Sequence, residues 1–445
     1  KSDDLEKELA RTVAGYGEAM QQVRWQEVQQ KLQAGEAAIE FIHYRYYDKK
    51  QSDSIMYAAL VLRPDDATPL FVSLFEEREI TPLLKGAKGG NIRGINALYS
   101  AGRQSSLYDL IWKPLEEQLQ GIKTVYCSPS GLLHKLNLGA IPLNEVETFA
   151  ERHKLVLLGS TRQLVIPNAT KNTGNDAFIV GGVRYDADST TINNAMNNFL
   201  ASTRGMALAD ELPLHTDSIS RGDSWNYLPG TATEAQDISR ILQSAHMATQ
   251  LDTGYLALEE SFRSLGMNKL SPHILHVATH GFFFPDPKNR EEGRGMRNDE
   301  PVFKMSDNPM IRSGLILAGA QQAWSTGKAP ENREDGILTA YEISQMNLSN
   351  TELVVLSACE TGLGDIEGNE GVYGLQRAFK IAGAKYLIMS LWKVNDQSTR
   401  ELMTDFYQQW LSNGLSIPEA FRTAQQNMKG KYKDPYHWAG FVLVE

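Results

Sequence analysis

Cysteine is nearly missing from this 445-residue chain, which has only Cys127 and Cys359. Two thiols make no disulfide framework, fit a reducing cytoplasmic location, and are too few for a cysteine-built zinc site. No apolar run approaches the ~18–20 residues a membrane-spanning helix needs. Positive charge is not in excess either. A formal net charge of −10 argues against direct nucleic-acid or anionic-membrane partners. The N-terminus opens with charged residues rather than the apolar core of a signal peptide. Several catalytic signatures are also missing. There is no G-x-S-x-G elbow, no Walker A loop and no G-x-G-x-x-G after a strand; Gly362-Leu363-Gly364 fails the spacing of the last.

What is present is a long soluble-type chain, enough for two or three domains. It starts at Lys1 rather than Met and is expected to be a piece of a longer protein. Residues 3–34 read as one long helix, with Leu5, Leu9, Val13, Met20, Val23, Val28 and Leu32 at helical spacings. That helix either packs on its own domain or docks the end of a preceding helical array. Ala37–Tyr47, Ile55–Leu62 and Pro69–Leu74 read as strands, and Arg103–Leu119 as a helix. Thr124–Ser128 and Leu132–Leu138 read as a strand pair around Pro129-Ser130-Gly131. A polar stretch from Arg184 to Pro229 reads as a surface insertion with a short helix near Asn193–Leu200. Beyond it, short apolar strands alternate with helices, the pattern of a mostly parallel sheet covered on both faces.

Ligand and catalytic sites of such sheets lie at the carboxyl ends of the strands, and three strands end in unusual chemistry. His273–Ala278 runs into Thr279-His280-Gly281. Leu353–Ala358 runs into Cys359-Glu360-Thr361-Gly362. Tyr386–Leu391 runs into Trp392-Lys393-Val394-Asn395-Asp396. If the three are parallel neighbours, His280, Cys359 and Asp396 meet at one rim. A thiol becomes a nucleophile as its thiolate, and an adjacent imidazole supplies the proton relay. Gly281 has no Cβ to block its amide, so with the amide of Cys359 it is a candidate oxyanion hole. Each residue also has a plain reading. His280 alone is an ordinary strand-end histidine, a lone cysteine is usually a buried small hydrophobe, and His273 and His276 are packing or second-rank residues. His276 and His280 are wrongly placed for a helical zinc pair, and no metal is expected. Cys127 with His134 is a rival dyad in a turn-rich hairpin without a glycine-cleared amide.

The segments LHVATHGFF (275–283), NPMIRSGLILAGA (308–320), EDGILTAYEIS (334–344), LVVLSACETGLGD (353–365), EGVYGLQRAFKIAGAKYLIMSLWKVND (370–396) and HWAGFVLV (437–444) closely resemble the CHAT family. These are caspase-like cysteine peptidases, related to separase and often fused to tetratricopeptide repeats. YCSPSGLLHKLNLGAIP (126–142) extends the likeness weakly, so it covers roughly residues 35–445.

The resemblance implies a caspase-like α/β sandwich. Residues 1–34 would be a linker or docking helix, 35–175 a degenerate N-terminal half and 176–445 the catalytic half. It implies a cysteine endopeptidase without a cofactor, with His280 as base and Cys359 as nucleophile. Similarity to separase marks Asp396 as the acid receiving a basic P1 side chain. Helix N-capping is its plain alternative and is compatible with that role. Asp335 is a weaker second candidate for lining the pocket. Arg204, Arg221, Arg290, Arg294 and Arg297 lie in polar loops that are either self-cleavage sites or simply solvated. Implied partners are a protein or peptide substrate, a gasdermin-like protein among the candidates, in bacterial defence or programmed death, and an upstream repeat region or regulator. The alternative is a non-catalytic interaction module on the same fold.

Overall fold

The computed structural model describes residues 22–445 apart from 49, 88–89, 102–105, 167–173, 203–224, 268, 285–305, 307, 330, 332 and 358–369. Fourteen strands run through it, in chain order. They are β1 (Glu36–Asp48), β2 (Lys50–Leu62), β3 (Leu70–Glu76), β4 (Thr124–Ser128), β5 (Lys154–Leu157), β6 (Asp176–Val183) and β7 (Ala248–Gly254). There follow β8 (Ile274–Val277), β9 (His280–Phe283), β10 (Ser313–Ile316), β11 (Ile337–Thr339), β12 (Leu353–Leu356), β13 (Tyr386–Ser390) and β14 (Phe441–Val444).

Eleven strands form one sheet in the order β3-β2-β1-β4-β5-β14-β13-β12-β8-β6-β7. The pairings from β1 through β4 to β5 and β14, and from β13 through β12, β8 and β6 to β7, are parallel; the β1–β2, β2–β3 and β13–β14 pairings are antiparallel. The fold is the expected mixed α/β class with a mostly parallel central sheet. Every residue of β8 and β12 is buried, as strands covered on both faces must be, and this explains their continuous apolar runs. One large apolar core, from Ala37 to Val444, runs along the sheet, and a small second cluster gathers Val28, Leu32, Ala38 and Leu62. Among the described residues, no helix is long and apolar enough to cross a membrane.

Helix lengths depart from their sequence patterns in both directions. Of the expected 3–34 helix, Trp25–Gln29 is the helical part within the described residues. Leu107–Ile111 and a 3₁₀ turn at Lys113–Leu115 stand where one helix was expected over 103–119. The insertion carries a helix at Ser189–Ser202.

The strand expected at 132–138 is absent. Gly131, at φ +56°, turns the chain into 3₁₀ turns at Gly131–Lys135 and Leu138–Ala140. A Cβ at Gly131 would stand 2.3 Å from the Tyr57 hydroxyl, so the close approach needs glycine. That hydroxyl accepts the Leu132 amide at 2.9 Å and donates to Glu77 Oε2 at 2.8 Å. The leucines of this segment are therefore buried by a turn rather than by strand pairing.

Candidate active site

The three strands singled out by their endings are neighbours. β13, β12 and β8 pair in parallel and in step, Tyr386 beside Leu353 beside Ile274. Their carboxyl ends therefore share a rim. The chain crosses that rim twice within the described residues, at Thr279-His280 and at Trp392–Asp396. Cys359, Gly362 and Gly364 lie outside the described residues, as do Arg204, Arg221, Arg290, Arg294 and Arg297.

His280 opens β9, which belongs to a second, three-stranded sheet ordered β11-β10-β9. Its imidazole is half-buried between two aromatic rings, with centroids 5.1 Å from Tyr185 and 5.0 Å from Trp225. Nε2 donates to the Asn226 carbonyl at 2.8 Å. A carbonyl only accepts, so Nε2 carries the proton, and Nδ1 is the basic nitrogen of the neutral ring. Trp225 is itself placed by its amide donating to Gln321 Oε1 at 2.8 Å and by Trp324, 4.7 Å away edge-on. Residues 225–226 thus form a strap over the base.

Gly281 pairs with Leu315 across the antiparallel β9–β10 ladder. The Phe284 amide donates to the Arg312 carbonyl at 2.8 Å, which makes that pair a hydrogen-bonded one. Pairs alternate along such a ladder, so the Gly281 amide turns away from β10 toward the free edge of β9. Among the described residues, no strand pairs with that edge.

Asp396 is the first residue of the helix Asp396–Leu411 and not its cap. Asn395 is the cap, accepting the amides of Gln397 and Ser398 at 3.0 and 3.4 Å. The capping alternative therefore falls to the neighbour, and the exposed Asp396 carboxylate makes no hydrogen bond or ion pair among the described residues. It faces Gly230, in the first turn of the helix Pro229–Ser244. Behind it lies a cavity of about 20 Å³, room for one water, with polar walls from Thr231, Glu234, Ser357, Ser390, Asp396 and Thr399.

Beneath that cavity runs a buried polar chain. Ser357, two residues before Cys359, donates to Glu234 Oε2 at 3.0 Å. Glu234 Oε1 meets His276 Nε2 at 3.2 Å, and His276 Nδ1 meets the Tyr407 hydroxyl at 3.2 Å. His276 is fully buried and supports Glu234, in line with its supporting place in the sequence reading. His273 pairs with Glu352 at 2.9 Å, on the far side from the rim.

Asp335 is not brought to this cavity. Its Oδ1 accepts the Ile337 amide at 2.8 Å, and its carboxyl lies against Glu259, whose Oε2 accepts the Gly336 amide at 2.9 Å. Burial first, and the other carboxylates second, push Glu259 up to about 9; burial pushes Asp335 up as well. Two carboxyls so placed share a proton more readily than they hold two charges.

The rival pair has different surroundings. Cys127 sits inside β4 with no exposed surface, and burial pushes its thiol well above the ordinary range. His134 is pushed down to about 4, mainly by burial and then by His43. A thiol kept protonated inside a strand and an imidazole kept neutral suit packing, not a nucleophile and its base.

Sequence reasoning missed the strap and Glu234. Trp225 ends a polar insertion and Glu234 sits near a helix start, so each looked local. Neither position has a motif of its own; both matter through contacts with strands far along the chain.

The fold and the site's geometry thus define a mixed α/β protein with a histidine held at the rim of a mostly parallel sheet. The CHAT domain profile matches residues 103–445, and the chain belongs to the CHAT family. It is 34% identical over 231 residues to tetratricopeptide repeat protein 28 of Mus musculus, covering 49% of this chain and 9% of that protein. The Homo sapiens protein of the same name is 32% identical over 110 residues, 24% of this chain and 4% of its own. The chain thus matches less than a tenth of the length of these relatives. Among solved structures, the Arg-specific cysteine proteinase gingipain R aligns over 83% of this chain and 74% of its own, with 10% identity and a TM-score of 0.41. The separase–securin complex of Saccharomyces cerevisiae aligns over 94% of this chain and 30% of its own, with 8% identity and a TM-score of 0.45.

Proposed function

We propose that this chain is a cysteine endopeptidase in which Cys359 attacks the scissile carbonyl and His280 manages the proton. The observation that carries the reading is the His280 imidazole. It is fixed by the Asn226 carbonyl so that Nδ1 is basic, at the rim where the strand leading to Cys359 ends.

In the mechanism, an extended peptide adds along the free edge of β9. The Cys359 thiolate adds to the carbonyl carbon, and the oxyanion takes hydrogen bonds from the amides of Gly281 and Cys359. The imidazolium returns its proton to the leaving amine, giving an acyl-enzyme and the released C-terminal fragment. Water, deprotonated by His280, then cleaves the thioester and frees the thiol. Asp396 receives a basic P1 side chain. Its uncommitted carboxylate at the cavity supports this role, whereas the engagement of Asp335 with Glu259 makes it a support of the small sheet. The substrate is a protein, in a setting such as defence or programmed death, with a tetratricopeptide region upstream as the natural regulator.

The test is turnover of fluorogenic peptides varied at P1 by wild type and Cys359→Ala. Turnover by wild type alone, with Arg or Lys preferred, is expected. Equal turnover by both would remove Cys359 from the mechanism, and an apolar preference would remove the Asp396 pocket. Silence of wild type with the upstream region restored would favour a binding module.

A further inference from the structure

We propose that the P1 site is a slot with two carboxylates, in which Glu234 forms the floor beneath Asp396 and selects arginine over lysine. This deepens the reading above and rests on it.

The slot lies between two helices. Gly230 and Glu234 are one turn apart on the Pro229–Ser244 helix and so share a face. Asp396 and Thr399 share a face of the Asp396–Leu411 helix in the same way. The two helices are also joined about one turn further along, at the surface, where Arg400 Nε donates to Asp237 Oδ2. At the mouth the absence of a side chain makes the space, since a Cβ on Gly230 would stand 2.1 Å from Asp396 Oδ2.

Two of the walls have no side-chain partner among the described residues, and the third, Glu234, has lone pairs to spare. Asp396 and the buried Thr399 hydroxyl make no hydrogen bond or ion pair among the described residues, and both face the cavity. Glu234 is 3% exposed. It uses one lone pair on each oxygen, toward His276 and Ser357, of the roughly four a carboxylate offers. Among the described residues, no lysine or arginine lines the cavity. A buried carboxylate with a second one above it calls for a cation between them. A guanidinium presents donors at both its edge and its tip and can meet both acids, whereas an ammonium is a point charge that meets one well. Filling the slot requires the Asp396 side chain to turn from Gly230, because the present cavity of about 20 Å³ holds only a water.

The experiment measures kcat/KM on peptides differing only as P1 Arg or Lys, for wild type, Glu234→Gln, Glu234→Asp and Asp396→Asn. Alongside it, the rise in Tm caused by agmatine and by n-pentylamine is measured on the Cys359→Ala chain with and without Glu234→Gln. Wild type is expected to prefer Arg. Glu234→Gln should lower kcat/KM on the Arg peptide about tenfold or more beyond any loss it causes on the Lys peptide, so that the Arg:Lys ratio falls by that factor, and Glu234→Asp should recover part of the ratio. Asp396→Asn should lower both. Agmatine should stabilise the chain more than n-pentylamine, and Glu234→Gln should abolish the difference.

An equal loss on Arg and Lys peptides in Glu234→Gln, with agmatine binding unchanged, would overturn the proposal and leave Glu234 as a support of β12. An unchanged ratio overturns it too and leaves the peptidase reading standing. A chain that cleaves nothing, yet is stabilised by agmatine through Glu234, keeps the slot and drops the peptidase. No turnover of basic peptides and no response to agmatine overturns both.

Discussion

The two ends of the large sheet each carry a cysteine and a histidine, and they treat them in opposite ways. On the β4 side, Cys127 is a residue of the strand itself, closed on all sides, and the half-buried His134 follows in a 3₁₀ turn whose leucines pack into the same core. Burial disfavours the charged form of both, so thiolate and imidazolium are suppressed together. On the β8–β12–β13 side, the histidine lies past the strand end, half-exposed, with one nitrogen tied to a backbone carbonyl. A parallel strand thus buries what lies within it and presents what lies beyond it. Position relative to the strand end, rather than residue type, separates the buried Cys127 from the rim histidine His280, and under the proposed function it separates a packed pair from a reactive one.

The largest expected effect falls on the thiols. Cys359→Ala should lower kcat/KM by about 10⁴-fold or more, as loss of a nucleophile does. Cys127→Ala should leave turnover unchanged and lower stability by about 1 kcal/mol, read by urea unfolding. An active Cys359→Ala chain that Cys127→Ala silences would reverse the comparison. Next comes the strap. Trp225→Ala frees the His280 ring on one side and should lower kcat by roughly 10–100-fold with KM little changed, since small misplacements of a base act on the chemical step.

The third effect is a pair of opposite pH slopes. His134 is held neutral, with a folded value of about 4 against an ordinary 6.5. The unfolded chain therefore gains a proton first as pH falls, and the stability linked to neutral His134 is lost between about 6.5 and 4. His134→Gln should flatten that limb of a Tm profile. Glu259 is held protonated, with a folded value of about 9 against 4.5. The stability linked to it is fully present below 4.5 and is lost as pH rises toward 9. Asp335, Glu342 and Glu334 face it as like charges, and Arg263 approaches at 3.8 Å as the opposing cation. Glu259→Gln should gain stability over wild type across that rise; parallel profiles would show that the carboxyls do not share a proton. The smallest effect tests the cap. Asn395→Ala should lower stability by about 1 kcal/mol and leave P1 preference alone, whereas a changed preference would mean that cap and pocket act as one.

Much of this arrangement was legible beforehand. Buried parallel strands need unbroken apolar runs, so His273–Ala278, Leu353–Ala358 and Tyr386–Leu391 announced themselves, and the strand-end rule then selected His280, Cys359 and Asp396. The long amphipathic pattern of residues 3–34 and the leucines of 132–138 were harder. Leucine spacing reports burial, and a 3₁₀ turn closed by Tyr57 buries leucines as well as a strand does. Asp396 and Asn395 are adjacent and both suit a helix start, so spacing alone could not assign the cap.

The sequence by itself determined the class of the fold, the order of its strands' endings and the residues that stand beyond them, because these follow from local periodicity and chain order. Only the tertiary structure decided which nitrogen of His280 is basic, that Asn395 frees Asp396 from capping, that Glu234 lies beneath it, and that Asp335 is engaged elsewhere. Each of those depends on atoms brought together from distant parts of the chain, and no local pattern records a contact that only folding creates.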